Sequence, residues 1–259
     1  MTNFKQLVRV FLTDKIRIVG NVITVYVAAT LLSLVPALFK GSVFDKCWSN
    51  LLLVYAAGWG SVAALLAGVL LAYSNEKVYT TNRYRLLPVS NGRLYSANLF
   101  SSIIAYLLVF LAELIFVLIY YLFNIKTVRA LIAHSFAGFE LRLSLILVFA
   151  FLVGLLSMVF WWSIASLVHL LTATITRALP DKHQVIAQGL IYAVLIMVVV
   201  RTYFEAKIWL TQLADLPFMV TSVSAYLSPV WAALILLVLT VVLGGINVWL
   251  LEHQVETKQ

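Results

Sequence analysis

The sequence predicts an all-α integral membrane protein with six transmembrane helices, and two observations carry that prediction. Hydrophobic residues make up 63% of the 259 positions and charged residues only 11%, whereas a soluble domain covers its surface with about a quarter of charged residues. The apolar residues are also gathered into runs, and roughly 20 of them cross a hydrocarbon core of about 30 Å. The mean hydropathy of +1.03 makes lipid the solvent for most side chains. Residues 1–259 therefore read as a single transmembrane domain, and hydropathy overrides the division into soluble domains that length alone permits.

The apolar windows are Ile18–Phe39, Leu51–Tyr73, Leu99–Phe123, Leu143–Phe160, Val185–Val200 and Val230–Leu251. The fourth stays apolar as far as Thr176, which allows either a long tilted helix or a helix extended on the cytoplasmic side. The fifth is short. Residues 1–17 read as an interfacial amphipathic helix: Phe4, Leu7, Val8, Phe11 and Ile18 recur near the helical period, with Lys5, Arg9 and Asp14 elsewhere around it. Such a helix binds a membrane surface by apolar burial and by attraction to anionic lipid. This segment has no continuous apolar core followed by a small-residue cleavage site, so no cleavable signal peptide is expected.

The charges between the windows set the topology. Lys and Arg accumulate in cytoplasmic loops, and six spans place both termini on one side. That side would hold 11 basic residues, among them Lys5, Arg9, Lys15, Arg17, Lys77, Arg83, Arg85 and Arg93, against 7 on the other. Both termini are therefore expected in the cytoplasm of a multi-pass protein of the cell membrane. The net charge of +8 lies in these short loops rather than on a soluble face, which argues against a nucleic-acid partner. A lone cysteine, Cys47, has no internal disulfide or metal-site companion.

The loop between the second and third windows, residues 74–98, is longer than a helical hairpin requires. Pro88 ends any helix that precedes it and biases Leu87 away from helical backbone. Ser90 is placed to cap a helix running into the third span. The reading is a short cytoplasmic helix, a break, and a helix that re-enters the membrane. Leu86-Leu87-Pro88-Val89-Ser90, followed by Arg93 and the start of the third span, resembles the L-P-[IV]-S-x-x-x-[IL] turn of ABC-2-type permeases, the membrane subunits of ABC exporters. The resemblance covers the whole chain in layout and about a dozen residues in motif. It implies that this loop is a coupling helix seated in a separate ATPase subunit, with Arg83, Arg85, Leu87, Pro88, Val89, Ser90, Arg93 and Leu94 at the contact. It also implies short re-entrant helices between the last two spans. Residues 201–228 carry a second apolar patch, Leu216–Val223, which reads either as such an element or as an ordinary outer loop.

Catalytic chemistry finds little support. The sequence has no G-x-x-x-x-G-K-[ST] and no H-E-x-x-H, and His134, His169, His183 and His253 are dispersed. Gly58-Trp59-Gly60-Ser61 is only superficially like a serine-protease turn; Gly58, Gly60 and Gly68 suit close helix approach in lipid. Glu113 is the one acid well inside an apolar span. An ionisable group there is costly unless it is paired, protonated or wet. It reads as a protonated Glu bonded to Ser144, Ser157 or Asn247, or as a wall of the transport path or a dimer contact. Trp161 and Trp162 read as interface anchors or as members of the same path.

On the resemblance, the chain is expected to be the permease subunit of an ATP-driven exporter, and the few polar groups inside the spans suggest a hydrophobic or amphipathic cargo such as a lipid, peptide or drug. It would be no enzyme and hold no cofactor itself. ATP and Mg would be bound by a partner ABC ATPase subunit, and a second permease copy or homologous permease would complete the path within membrane lipid. The alternatives are a secondary transporter or channel without ATPase, a membrane enzyme, and an accessory or immunity protein.

Overall fold

A computed structural model describes residues 4–39, 48–80, 89–125, 140–176, 186, 189–194, 197, 201 and 224–253. Five long helices carry the described chain: α1 (Phe4–Phe39), α2 (Trp48–Thr80), α3 (Asn91–Phe123), α4 (Glu140–Thr176) and α5 (Ser224–His253). Each contains a stretch long and apolar enough to cross a membrane, and no strand occurs among the described residues. The protein is thus a multi-pass helical membrane protein. Of the fifth window, Val185–Val200, residues 189–194 are helical, and most of the rest lies outside the described residues. So do residues 202–223, which hold the patch Leu216–Val223.

The chain divides into two compact units, one of Met1–Val78 with Pro88–Glu140 and one of Tyr79–Leu87 with Leu141–Gln259. In the first unit α1, α2 and α3 run up, down and up. α1 packs along α3, and side-chain pairs fix the register at successive levels. Lys15 of α1 meets Asn75 of α2 and Asn98 of α3 at one end. Tyr26 then packs edge-on to Phe116, with ring centroids 5.3 Å apart. Trp59 Nε1 donates to Ser33 Oγ at 2.9 Å. At the far end Asn124 donates to Ser49 Oγ at 2.8 Å, and Trp48 meets Phe123 at 4.7 Å.

The faces of α3 are inverted relative to a soluble helix. Its buried side carries Asn98, Ser101 and Ser102 among small and aromatic residues, while Leu111, Leu114, Ile115, Leu118 and Leu122 lie exposed on one stripe. Water would not tolerate so long an apolar stripe; lipid does, and small or polar residues then hold the helices together.

Two sequence expectations change here. Residues 4–17 are not a separate interfacial helix: α1 is one 36-residue helix, about 54 Å long at 1.5 Å per residue. The apolar face of Leu7, Val8 and Phe11 that was expected to meet lipid headgroups is instead buried in the protein. The 74–98 segment is also less loop than expected, because α2 stays helical through Thr80 and α3 begins at Asn91. Ser90 occupies the N-cap position with extended backbone, although its side chain makes no capping bond.

In the second unit, α4 is a single 37-residue helix, continuous through Thr176 as both readings of the fourth window require. Asn247 of α5 donates to the Ser163 carbonyl of α4 at 2.9 Å. His169 Nδ1 lies 2.5 Å from the Tyr192 hydroxyl.

Candidate functional site

Two polar sites lie inside the α1–α3 unit, one at each of two levels. At the first, the Lys15 ammonium is enclosed by neutral oxygens. It donates to Asn75 Oδ1 at 2.8 Å, Asn98 O at 2.5 Å, Asn98 Oδ1 at 2.6 Å, Ser101 Oγ at 2.8 Å and Ser102 Oγ at 2.7 Å. Lys15 is 1% exposed, and its four partner residues are as deeply buried. The cage is internally braced: Ser102 Oγ donates to Asn75 Oδ1 at 2.7 Å and Asn98 Nδ2 to the Asn75 carbonyl at 3.2 Å. The Phe11 ring lies one turn away, 6.0 Å from Nζ.

Taking an ammonium out of water costs several kcal/mol. Here the compensation is a set of oxygen dipoles, with hydrogen bonds to a charged group each worth about 1.5–3 kcal/mol. The ammonium has three N–H groups for five oxygens, so its bonds are shared. The cage ties the last turns of α2 and the first turns of α3 to α1.

The second site surrounds Glu113. Gly60 of α2 faces it so closely that a β-carbon there would lie 2.8 Å from Oε1. Gly58, two residues earlier, would meet nothing within 4 Å. The carboxyl group borders a cavity of about 220 Å³ whose lining includes Tyr26, Leu53, Ser61, Phe116 and Val117. Tyr26 is 2% exposed, and its hydroxyl is buried without a hydrogen-bond partner. Ser61 Oγ donates to the Ala57 carbonyl at 2.9 Å, which leaves its lone pairs free to accept.

The other residues singled out in the sequence fall as follows. Arg83, Arg85, Leu87 and Pro88 lie outside the described residues. Ser90 and Arg93 are exposed, Val89 is half-buried, and Leu94 is buried and holds the start of α3 in the bundle. Of the partners expected for Glu113, the Ser144 side chain lies outside what is described, Ser157 donates to Val153 O at 2.7 Å and Asn247 donates to Ser163 O. Of the tryptophan pair on α4, Trp162 is buried at 2% and Trp161 is 42% exposed, so the two side chains do not share one environment. Sequence reasoning assigned Lys15 to topology and missed the cage. Its signal was present: Leu7, Val8, Phe11, Lys15, Val19, Val22, Tyr26 and Thr30 recur every three to four residues, and all are buried. No group of three or more metal-ligating side chains occurs among the described residues.

This set of features defines a class, a multi-pass α-helical membrane protein with a polar cage and a carboxylate-lined cavity in one three-helix unit. No protein-family model, curated protein or solved structure matches the chain.

Proposed function

We propose that this chain is the permease subunit of an ATP-driven exporter, docked to a separate ATPase through the segment between α2 and α3. The observation that carries the reading is the Lys15 cage. A push on a loop moves a membrane path only if the loop is anchored to the helices that form the path. Asn75 lies six residues before Thr81 and Asn98 eight residues after Ser90, and Lys15 binds both of them to α1. The helices on either side of that segment are thereby joined to α1 by hydrogen bonds in a buried site, where an unsatisfied polar group is costly. Arg93, exposed in the first turn of α3, and Arg83 and Arg85 supply positive charge for an acidic groove. The L-P-V-S turn at residues 87–90 adds the likeness to ABC-2-type permeases. ATP and Mg belong to the partner subunit, and a second permease completes the path.

The test is co-purification of the tagged chain from its own cells after gentle solubilisation. A stoichiometric partner with ATPase activity is expected. It should be lost from the Arg85→Glu, Pro88→Ala, Arg93→Glu triple variant, which still inserts in the membrane. Like charges placed against a partner groove cost several kcal/mol, whereas changes on a free surface stay within about 0.5 kcal/mol. A triple variant that keeps its partner and its transport would reject the coupling assignment.

A further inference from the structure

The cavity beside Glu113 has the makings of a ligand site. It is lined by groups of opposite character: a carboxylate, two hydroxyl oxygens, and the apolar walls of Leu53, Phe116 and Val117. The Tyr26 hydroxyl is buried in the lining with its hydrogen-bonding capacity unused, a state that carries an uncompensated desolvation cost. Such orphaned groups are rare and call for an explanation. Glu113 lies 14 residues from the start of the apolar run Leu99–Phe123 and 10 from its end, so it is well inside that run. Gly60 gives it room, because any larger residue would push the carboxyl out of the position it holds.

We propose that this cavity binds a primary alkylammonium group, the head of an amphipathic amine, between the Glu113 carboxylate and the Tyr26 and Ser61 hydroxyls. The charge argument selects a cation. A lone carboxylate within a bilayer is expensive, and a ligand that brings the opposite charge removes that cost while an anion would double it. The hydrogen-bond inventory selects a primary ammonium, whose three N–H donors match three acceptors from α1, α2 and α3. The Phe116 ring adds an aromatic wall of the kind that attracts cations.

Size selects a head group rather than a whole amphiphile. Drug-sized ligands fill roughly 300–1,000 Å³, and the cavity holds about 220 Å³. Its rim at Ala57, Ser61 and Val117 is exposed, so an alkyl tail leaves the cavity along an apolar helix face. The inference deepens the exporter reading by naming the chemical class of its cargo. It rests on that reading only for the role of cargo, since binding itself needs neither ATPase nor transport.

The test uses the full chain in phosphatidylglycerol nanodiscs, which contain no amine, titrated calorimetrically with n-octylammonium. One saturable site is expected, with n-octanol and octanoate giving none. Glu113→Gln should weaken binding at least tenfold, and Gly60→Ala and Tyr26→Phe several-fold, in protein that stays monodisperse and helical. If Glu113→Gln does not fold, Gly60→Ala carries the test, because it keeps the charge and displaces only its position. Competition by phosphatidylethanolamine added to the discs would identify an aminolipid as the source of the head group. Absence of competition would identify a freely diffusing amphiphile. Octanol binding as tightly as octylammonium, no site in the unaltered chain, or variants that bind within twofold of it would each overturn the proposal. None of these outcomes bears on retention of the ATPase partner, so the two readings fail separately.

Discussion

Lys15 Nζ lies 2.6 Å from Asn98 Oδ1, joining residues 83 positions apart through a hydrogen bond sealed from solvent. The two side chains are 1% and 0% exposed, so neither has water to fall back on. A charge held in this way is a clamp. It resists separation of α1 from α3 most strongly at the end of the bundle that the proposed function places against the ATPase.

Removing the charge therefore exposes the cost of the cage. Lys15→Met keeps an unbranched side chain, one atom shorter, and leaves the oxygens of Asn75, Asn98, Ser101 and Ser102 to satisfy one another. A loss of about 1–3 kcal/mol is expected, the cost of leaving buried polar groups without their partner. Thermal unfolding in detergent should fall by about 2–12 °C, at 2–4 °C per kcal/mol for a chain of this size. Adding Asn98→Leu should then cost less than Asn98→Leu alone, since residues in one network are coupled by about 0.5–3 kcal/mol. Strictly additive effects would show that the cage does not act as a unit.

Gly58 and Gly60 differ in what a methyl group would meet, and substitution should separate them. Gly58→Ala enters open space and gains helix propensity of about 0.8–1.0 kcal/mol, so it should raise or preserve thermal stability. Gly60→Ala places its β-carbon against the Glu113 carboxyl, which must move, so it should gain less than Gly58→Ala. Shortening the acid with Glu113→Ala in both backgrounds should remove the difference between the two glycine variants. Equal behaviour of the two glycine variants would contradict the packing described for α2 and α3.

The register of the bundle predicts a cross-link. Asn124 and Ser49 are in hydrogen-bond contact at the end remote from Lys15. In a Cys47→Ser background, Ser49→Cys with Asn124→Cys should form a disulfide under mild oxidation, seen as a mobility shift on electrophoresis. The pair Ser49→Cys with Ser90→Cys should not form one, since α2 and α3 are antiparallel and these positions lie at opposite ends.

Topology is tested in intact cells with an impermeant thiol reagent, again in the Cys47→Ser background. A cytoplasmic loop between α2 and α3 leaves Ser90→Cys unlabelled and Thr127→Cys labelled. The reverse pattern would invert the orientation read from the Lys and Arg distribution, and would remove the proposed docking segment from the side that holds ATP.

The sequence by itself determined the class of the protein and where five of its long helices run. Hydropathy is a local property: each apolar run declares its solvent without reference to any other part of the chain, and windows such as Leu99–Phe123 overlap the observed helices for that reason. Glu113 was legible on the same ground, as an acid among Leu and Ile. Lys15 was legible only in part, because its place on the buried face of α1 follows from the helical period, but its proximity to other charges suggested a topological role. The tertiary structure alone decided its partners, which lie 60 to 87 residues away. It alone decided that Gly60 rather than Gly58 faces Glu113, and that Tyr26 shares the same cavity. These pairings depend on the order, direction and register of packed helices. A change of register by one residue turns a helix by about 100°, so no local pattern could have fixed them.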